Sequence, residues 1–454
     1  MKRNENDRAT YHPSNKRRAP RSSSSGESVM RSRKAGGPPE AALHREERYA
    51  PPKSRKERKE APKEKRSLLH PGKRAVKKRF KLFSIRSGMD MPFLILVLIL
   101  LGIGLVMLYS ASYPNAYYLH GDSGYFIKKQ LLYAVVGVIL MLALSYFDYH
   151  HFHKLAVPIL LVSYALLAVV MVMPPINQVH RWVQIGSFSF QASEITKFAI
   201  VLIFAHWISI NFNKMETFRY GILPYILVLG STCALLILEP HLSGTIIVVL
   251  LAAGMLFIGG IKLRWFGGAL AIVGGVIAYI LLFTDMLSYA NERIQGWLDP
   301  LTYTTEQMWQ DTWQTRNSLY AIGSGGLLGQ GLGQSRQKYL YLPEPQNDFI
   351  FAVVCEELGL IGALIILLLF ALLVWRGITI SMRAKDKFGS LLGIGLSAQV
   401  GLQVLLNVAV VTNSIPNTGI SLPFFSDGGT SLIMLLAQMG IVLSISRTAS
   451  LEKT

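Results

Sequence analysis

"FIFAVVCEELGLIGALIILLLF", residues 349–370, continues to Trp375 as a run apolar enough to cross about 30 Å of hydrocarbon as one helix. Immediately before it, "LPEPQND" (342–348) ends on a carboxylate, Asp348, where polar chain gives way to apolar chain. Outward from that boundary, similar runs recur at 92–112, 131–147, 155–173, 193–211, 220–238, 243–261, 265–284, 389–412 and 430–446. They predict an all-α integral membrane protein of about ten transmembrane helices, with a large extracytoplasmic loop, 285–347, between the seventh and eighth. That loop holds too many Trp, Tyr and Leu residues for a disordered linker. It predicts short amphipathic helices with glycine-rich turns on the outer face of the bundle.

The chain of 454 residues carries a formal charge of +19, and 1–86 supplies nearly all of it, with 27 Lys and Arg against 9 Asp and Glu. This segment is rich in Ser, Pro, Arg, Lys and Glu, and too poor in apolar side chains to offset its ordering entropy. It reads as a disordered basic cytoplasmic tail. No aromatic interleaving or zinc spacing supports a nucleic-acid partner. "KRAVKKRFKLFSIR" (73–86), directly before the first span, instead suits the anionic lipid of a cytoplasmic leaflet. The first span begins too late and runs too long for a cleaved signal, and so predicts a retained anchor. The polytopic domain then occupies 87–447, with 448–454 as a short cytoplasmic tail. An even number of spans puts both termini in the cytoplasm of a multi-pass cell-membrane protein. Lys154, Lys214, Arg219, Lys262, Arg264, Arg376, Arg383, Lys385 and Lys387 then fall in the inner connections, as the positive-inside rule requires. Cys233 and Cys355 lie within apolar spans and read as packing residues.

Charges at bilayer depth cost about 2.5–3.5 kcal/mol each on insertion scales, so each asks for a partner or a purpose. Glu194 and Lys197 in "ASEITKFAI" share one helical face, either as a structural ion pair or as the lining of a substrate cavity. "LEPHLSGT" (238–245) must break or re-enter at Pro240, and His241 there has no second ligand at zinc spacing. Asp348 admits two readings: an N-terminal cap for the eighth span, or an ionised carboxylate at the bilayer surface that accepts a proton from a hydroxyl.

Four motifs go further. "RWVQIGSFSFQASEITK" (181–197), "SLYAIGSGGLLGQGLGQS" (318–335), "KYLYLPEPQNDFIFAVVCEELG" (338–359) and "GISLPFFSDGGTS" (419–431) occur in this order. Together they resemble the SEDS family (shape, elongation, division and sporulation), and its FtsW and SpoVE branch more than RodA. The resemblance covers about residues 90–447. It implies a peptidoglycan glycosyltransferase that polymerises lipid II on the outer face of the membrane during cell division or sporulation, with Asp348 matching the family's essential aspartate. Arg181, Lys197, Arg293 and Lys338 are the candidate cations for the departing pyrophosphate, with Glu194 holding Lys197 and Gln314 a further substrate contact. A divalent cation, Mg2+ or Mn2+, is admitted by analogy with related enzymes. The implied partners are lipid II, a class B penicillin-binding protein acting as transpeptidase, other divisome proteins and the membrane lipids themselves. Two rivals use the same residues differently: a lipid II flippase, or a scaffold that activates the transpeptidase. The chain departs from the family at Asp427, where Tyr is usual, and at His241, where an acidic residue is usual outside the FtsW and SpoVE branch.

Overall fold

Every long apolar run must satisfy its backbone internally once it leaves water, and helices are the local solution. The computed structural model describes residues 88–173, 182–185, 188–239, 241–265, 267–268, 297–301 and 306–449. The first three membrane-length helices are α1 (Met91–His120), α2 (Tyr125–Tyr146) and α3 (His150–Val172). A hairpin of β1 (Trp182–Ile185) and β2 (Phe188–Gln191) leads into α4 (Ala192–Asn211). After α5 (Leu223–Leu238) and α6 (Leu242–Ile258) come α7 (Glu306–Gly325), α8 (Ile350–Met382), α9 (Lys387–Val411) and α10 (Gly429–Ala449). Among the described residues, eight helices are long and apolar enough to cross a membrane. The expected sixth span is α6, at 17 residues slightly short of full hydrocarbon thickness. The expected seventh span and the basic tail lie outside the described residues.

Local chemistry sets the ends. Asp90 caps α1 by accepting the Phe93 N–H at 3.0 Å, with proline in the first turn, and Gly121 ends the helix in the left-handed region. The ends of the chain's membrane domain meet at one end of the bundle. The Asp90 N–H donates to Ser446 Oγ at 3.2 Å, and Arg376 Nη2 bonds Asp90 Oδ2 at 2.7 Å. Helices α4, α9 and α10 form the centre, with 61, 56 and 72% of their apolar windows buried within the protein, against 22–39% for the outer helices.

Three features differ from the sequence expectation. The all-α bundle contains an antiparallel hairpin, with Trp182 opposite Gln191 and Val183 opposite Phe190. The outer loop contributes α7, a helix of 20 residues, longer than the short helices expected there. Most consequentially, α8 is broken. Gly359 takes φ 69° and ψ −174°, inaccessible to an ordinary helical residue. The freed backbone groups are taken up by the glycine-rich turn that follows α7. Gln330 and Gly331 donate to the Glu356 and Glu357 carbonyls at 2.9 and 3.0 Å, and Leu360 and Ile361 donate to Gly326 and Leu327 at 2.9 and 3.1 Å. A side chain on Gly329 would collide with the Glu357 carbonyl, so the turn packs backbone against backbone.

Candidate active site

Asp348 sits two residues before α8, half-buried, in a turn rather than in the helix. The N-cap position of α8 is Phe349, directly after Asp348, so the carboxylate stands at the mouth of the helix rather than inside it. The main chain of Asp348 is fixed by α9: Asn407 Nδ2 donates to the Asp348 carbonyl at 2.7 Å and to the Ile420 carbonyl at 2.6 Å. One amide thereby ties the "LPEPQND" segment to the loop that precedes α10. Ser426 Oγ adds a second stitch, donating to the Asn347 carbonyl at 2.7 Å. Gly419, at φ 68°, lies against the carboxylate, and a Cβ there would sit 3.0 Å from Asp348 Oδ2. A positive φ and this close approach both favour glycine at that position.

The carboxylate faces a cavity of about 440 Å3, whose wall also includes Glu194 and Lys197 of α4, Gln403 of α9, His241 and Asp427. The hairpin supplies Trp182 and Gln191 to the same wall and delivers Glu194 in the first turn of α4. Lys197 Nζ donates to Glu194 Oε1 at 2.8 Å, with both side chains at least nine-tenths buried. The pair is thus structural and cavity-lining at once, because an ammonium has three donors and this bond uses one. Asp427, in the loop before α10, has its carboxyl pushed up to about 6. Burial is the main cause; nearby Lys129 pulls it down and Glu344 pushes it further up.

The other expected contacts lie elsewhere. Gln314 of α7 bridges the two loops at the rim, accepting from Asn417 Nδ2 at 3.1 Å and donating to the Pro343 carbonyl at 3.4 Å, and it does not line the cavity. Lys338 is fully buried and spends its ammonium on Glu357 Oε1, the Gly333 carbonyl and Ser110 Oγ at 2.7, 2.8 and 3.2 Å. That is the geometry of a structural charge pair, with no donor left for phosphate. Arg181 and Arg293 lie outside the described residues. Among the described residues no three His, Cys, Asp or Glu side chains converge to hold a metal ion. A Mg2+ ion here would need substrate phosphate oxygens among its ligands. Gln403 and Asn407 were missed from the sequence. Their i, i+4 spacing in an otherwise apolar span is the signal that marks one polar face at membrane depth.

A bundle of membrane-length helices with a charged cavity at one end, walled by a half-buried carboxylate and a buried lysine, defines a multi-pass membrane protein. The chain belongs to the FtsW/RodA/SpoVE family of cell cycle proteins, whose family model matches residues 91–451. It is 38% identical over 372 residues to stage V sporulation protein E of Bacillus subtilis (strain 168), a match covering 80% of this chain and 98% of that protein. It is equally 38% identical, over 368 residues, to a probable peptidoglycan glycosyltransferase FtsW of Geobacter sp. (strain M18), covering 79% and 97%. A solved chain from a peptidoglycan synthase complex, studied for its coordination of polymerization and crosslinking, shares the fold. Its TM-score is 0.66 at 24% identity, over 80% of this chain and 99% of that one.

Proposed function

We propose that this chain is a peptidoglycan glycosyltransferase that joins lipid-linked disaccharides into glycan strands, with Asp348 as the general base. Membership of the family and the similarity to a probable FtsW glycosyltransferase support the activity. The observation that carries the residue assignment is the convergence of Asp348, Glu194 and Lys197, read from distant parts of the sequence, on one cavity. In the reaction, the acceptor sugar's 4-hydroxyl oxygen attacks the anomeric carbon of the donor. The bond from that carbon to the lipid pyrophosphate breaks, and the hydroxyl proton passes to the Asp348 carboxylate. A glycosidase needs a second carboxylic acid for its poor leaving group, whereas pyrophosphate leaves as an anion that a fixed cation stabilises. Lys197 takes that role, held by Glu194 and with two donors remaining. The low dielectric around the buried pair strengthens its field on the departing phosphate.

The same reading orients the molecule. The end of the bundle opposite Asp348 carries Lys214, Lys262, Arg376, Arg383, Lys385 and Lys387, so the positive-inside rule makes it cytoplasmic and turns the cavity outward. The tail of residues 1–86 and the termini then lie in the cytoplasm. A class B penicillin-binding protein is the proposed partner, supported by the shared fold with a chain of a peptidoglycan synthase complex. The test is polymerisation of lipid II by purified protein, alone and with its transpeptidase. Wild type makes glycan strands, and Asp348→Asn loses about 10²–10⁴-fold in rate while remaining folded in the membrane. Full activity in Asp348→Asn removes the assignment. Transport of lipid II without strand formation favours the flippase.

A further inference from the structure

A second cavity, of about 500 Å3, adjoins the first. Asn115 and Leu119 of α1, Phe126 of α2 and the 338–347 segment line it. Glu344, Asn347 and Asp427 line both cavities and so form the partition between them. The proposed reaction joins two sugars, each needing its own space, and the two spaces must meet beside the base.

Asp427 is held at that partition by its backbone. Its N–H donates to the Gln346 carbonyl at 2.8 Å, and the next residue, Gly428, donates to Gln130 Oε1 at 3.5 Å. Gln130 in turn donates to the Ser426 carbonyl at 3.2 Å. The loop is fixed on both sides of the residue, yet among the described residues no donor hydrogen-bonds the Asp427 carboxylate itself. The half-buried carboxylate lines both cavities and offers its acceptor oxygens to a ligand hydroxyl.

Building on the glycosyltransferase reading, we propose that Asp427 is a substrate-contacting residue whose carboxylate accepts a hydrogen bond from a hydroxyl of the sugar bound at the partition. The charged and titratable groups around it are Lys129 on α2, Glu344 beside it on the partition, Lys338 on the second cavity, and Asp348, Glu194, Lys197 and His241 across the first cavity. Burial sets its carboxyl near 6, so the acceptor is charged above that pH and neutral below it.

Binding of lipid II in nanodiscs is measured against pH for wild type, for Asp348→Asn and for variants of the partition, together with KM and kcat for polymerisation. Affinity for lipid II falls as pH drops through about 6 in wild type. Asp348→Asn keeps this binding inflection although its turnover is lost. Asp427→Asn loses the inflection and raises KM about tenfold with kcat little changed, as expected for one lost charge-assisted hydrogen bond. Asp427→Tyr, the residue the family usually carries, folds and polymerises without the inflection. Glu344→Gln moves the inflection to lower pH and Lys129→Gln moves it to higher pH. An unchanged inflection in Asp427→Asn, or shifts of the opposite sign in the two neighbours, overturns the proposal. Absence of strand formation by wild type overturns the polymerase reading instead, and the binding arm still judges Asp427.

Discussion

Replacing Lys338 with methionine separates a structural lysine from a substrate lysine. The Lys338–Glu357 pair is fully buried, with its charged atoms 2.7 Å apart. Glu357 also accepts from Ser110 Oγ at 2.7 Å and from the Ser335 N–H at 3.4 Å. Its neighbour Glu356 accepts from Ser335 Oγ at 2.5 Å and from the Arg336 N–H at 2.9 Å. The network therefore joins α1, α8 and the 333–338 turn. Lys338→Met leaves the Glu357 carboxylate buried with neutral donors only, which costs about 3–5 kcal/mol. For a protein of this size the melting temperature falls by roughly 5 °C. Lys338→Met combined with Glu357→Gln removes both charges while keeping an amide to bond Ser110, and recovers most of that loss. The assay is thermal unfolding of purified protein in one detergent, beside lipid II polymerisation at a temperature where all variants stay folded. A Lys338→Met protein that melts with wild type yet fails to polymerise refutes the reasoning, because the lysine would then be serving substrate.

Four further outcomes follow from the structure. Lys197→Met lowers the polymerisation rate about 10²-fold or more by removing the cation at the leaving group. Glu194→Gln retains more activity than Lys197→Met, because it weakens the lysine's support rather than deleting the charge; equal retention in both shows that Lys197 acts only as a packing partner. Gly419→Ala costs about 1–2 kcal/mol of stability for forcing a side chain into the left-handed region, and lowers kcat because its methyl meets Asp348 Oδ2 at 3.0 Å. At the opposite end of the bundle, burial pushes the Asp386 carboxyl up, but bonds from His150, Tyr149 and the Gly389 N–H outweigh it and hold it at about 2. A depressed folded-state value stabilises above the unfolded value of about 3.9, and that support is lost as pH falls through the folded one. The gap in melting temperature between wild type and Asp386→Asn is therefore full at pH 7 and narrows below about pH 4.

Span positions were legible because length and hydropathy are written locally: each of the eight membrane-length helices overlaps a run seen in the sequence. The hairpin was not, since "WVQI" and "FSFQ" are too short to declare a period and their value lies in what they carry to the cavity. The break at Gly359 was hidden for a different reason. Its missing helical bonds are completed by residues 326–331, about thirty positions upstream, and nothing near Gly359 shows that partner. Lys338 looked like a spare cation because its partner, Glu357, lies 19 residues away inside an apolar run. Glu194 and Lys197 were visible as a pair, but only the four family motifs joined them to Asp348. Asn407, which holds both loops of the site, was with Gln403 one of two polar residues in the apolar "QVLLNVAVV", and only the fold shows what it touches.

The interrupted α8 separates two mechanical tasks. Beyond Gly359, the helix is long enough to answer a thicker or thinner bilayer by leaning. A continuous rod would swing its tip, and with it any group at its head, whenever it leaned. Here the head is fastened sideways to the turn after α7, and the chain just before it is fastened to α9, so the lean dissipates at the glycine. The Asp348 carboxylate keeps its aim while the lipid around the protein changes depth.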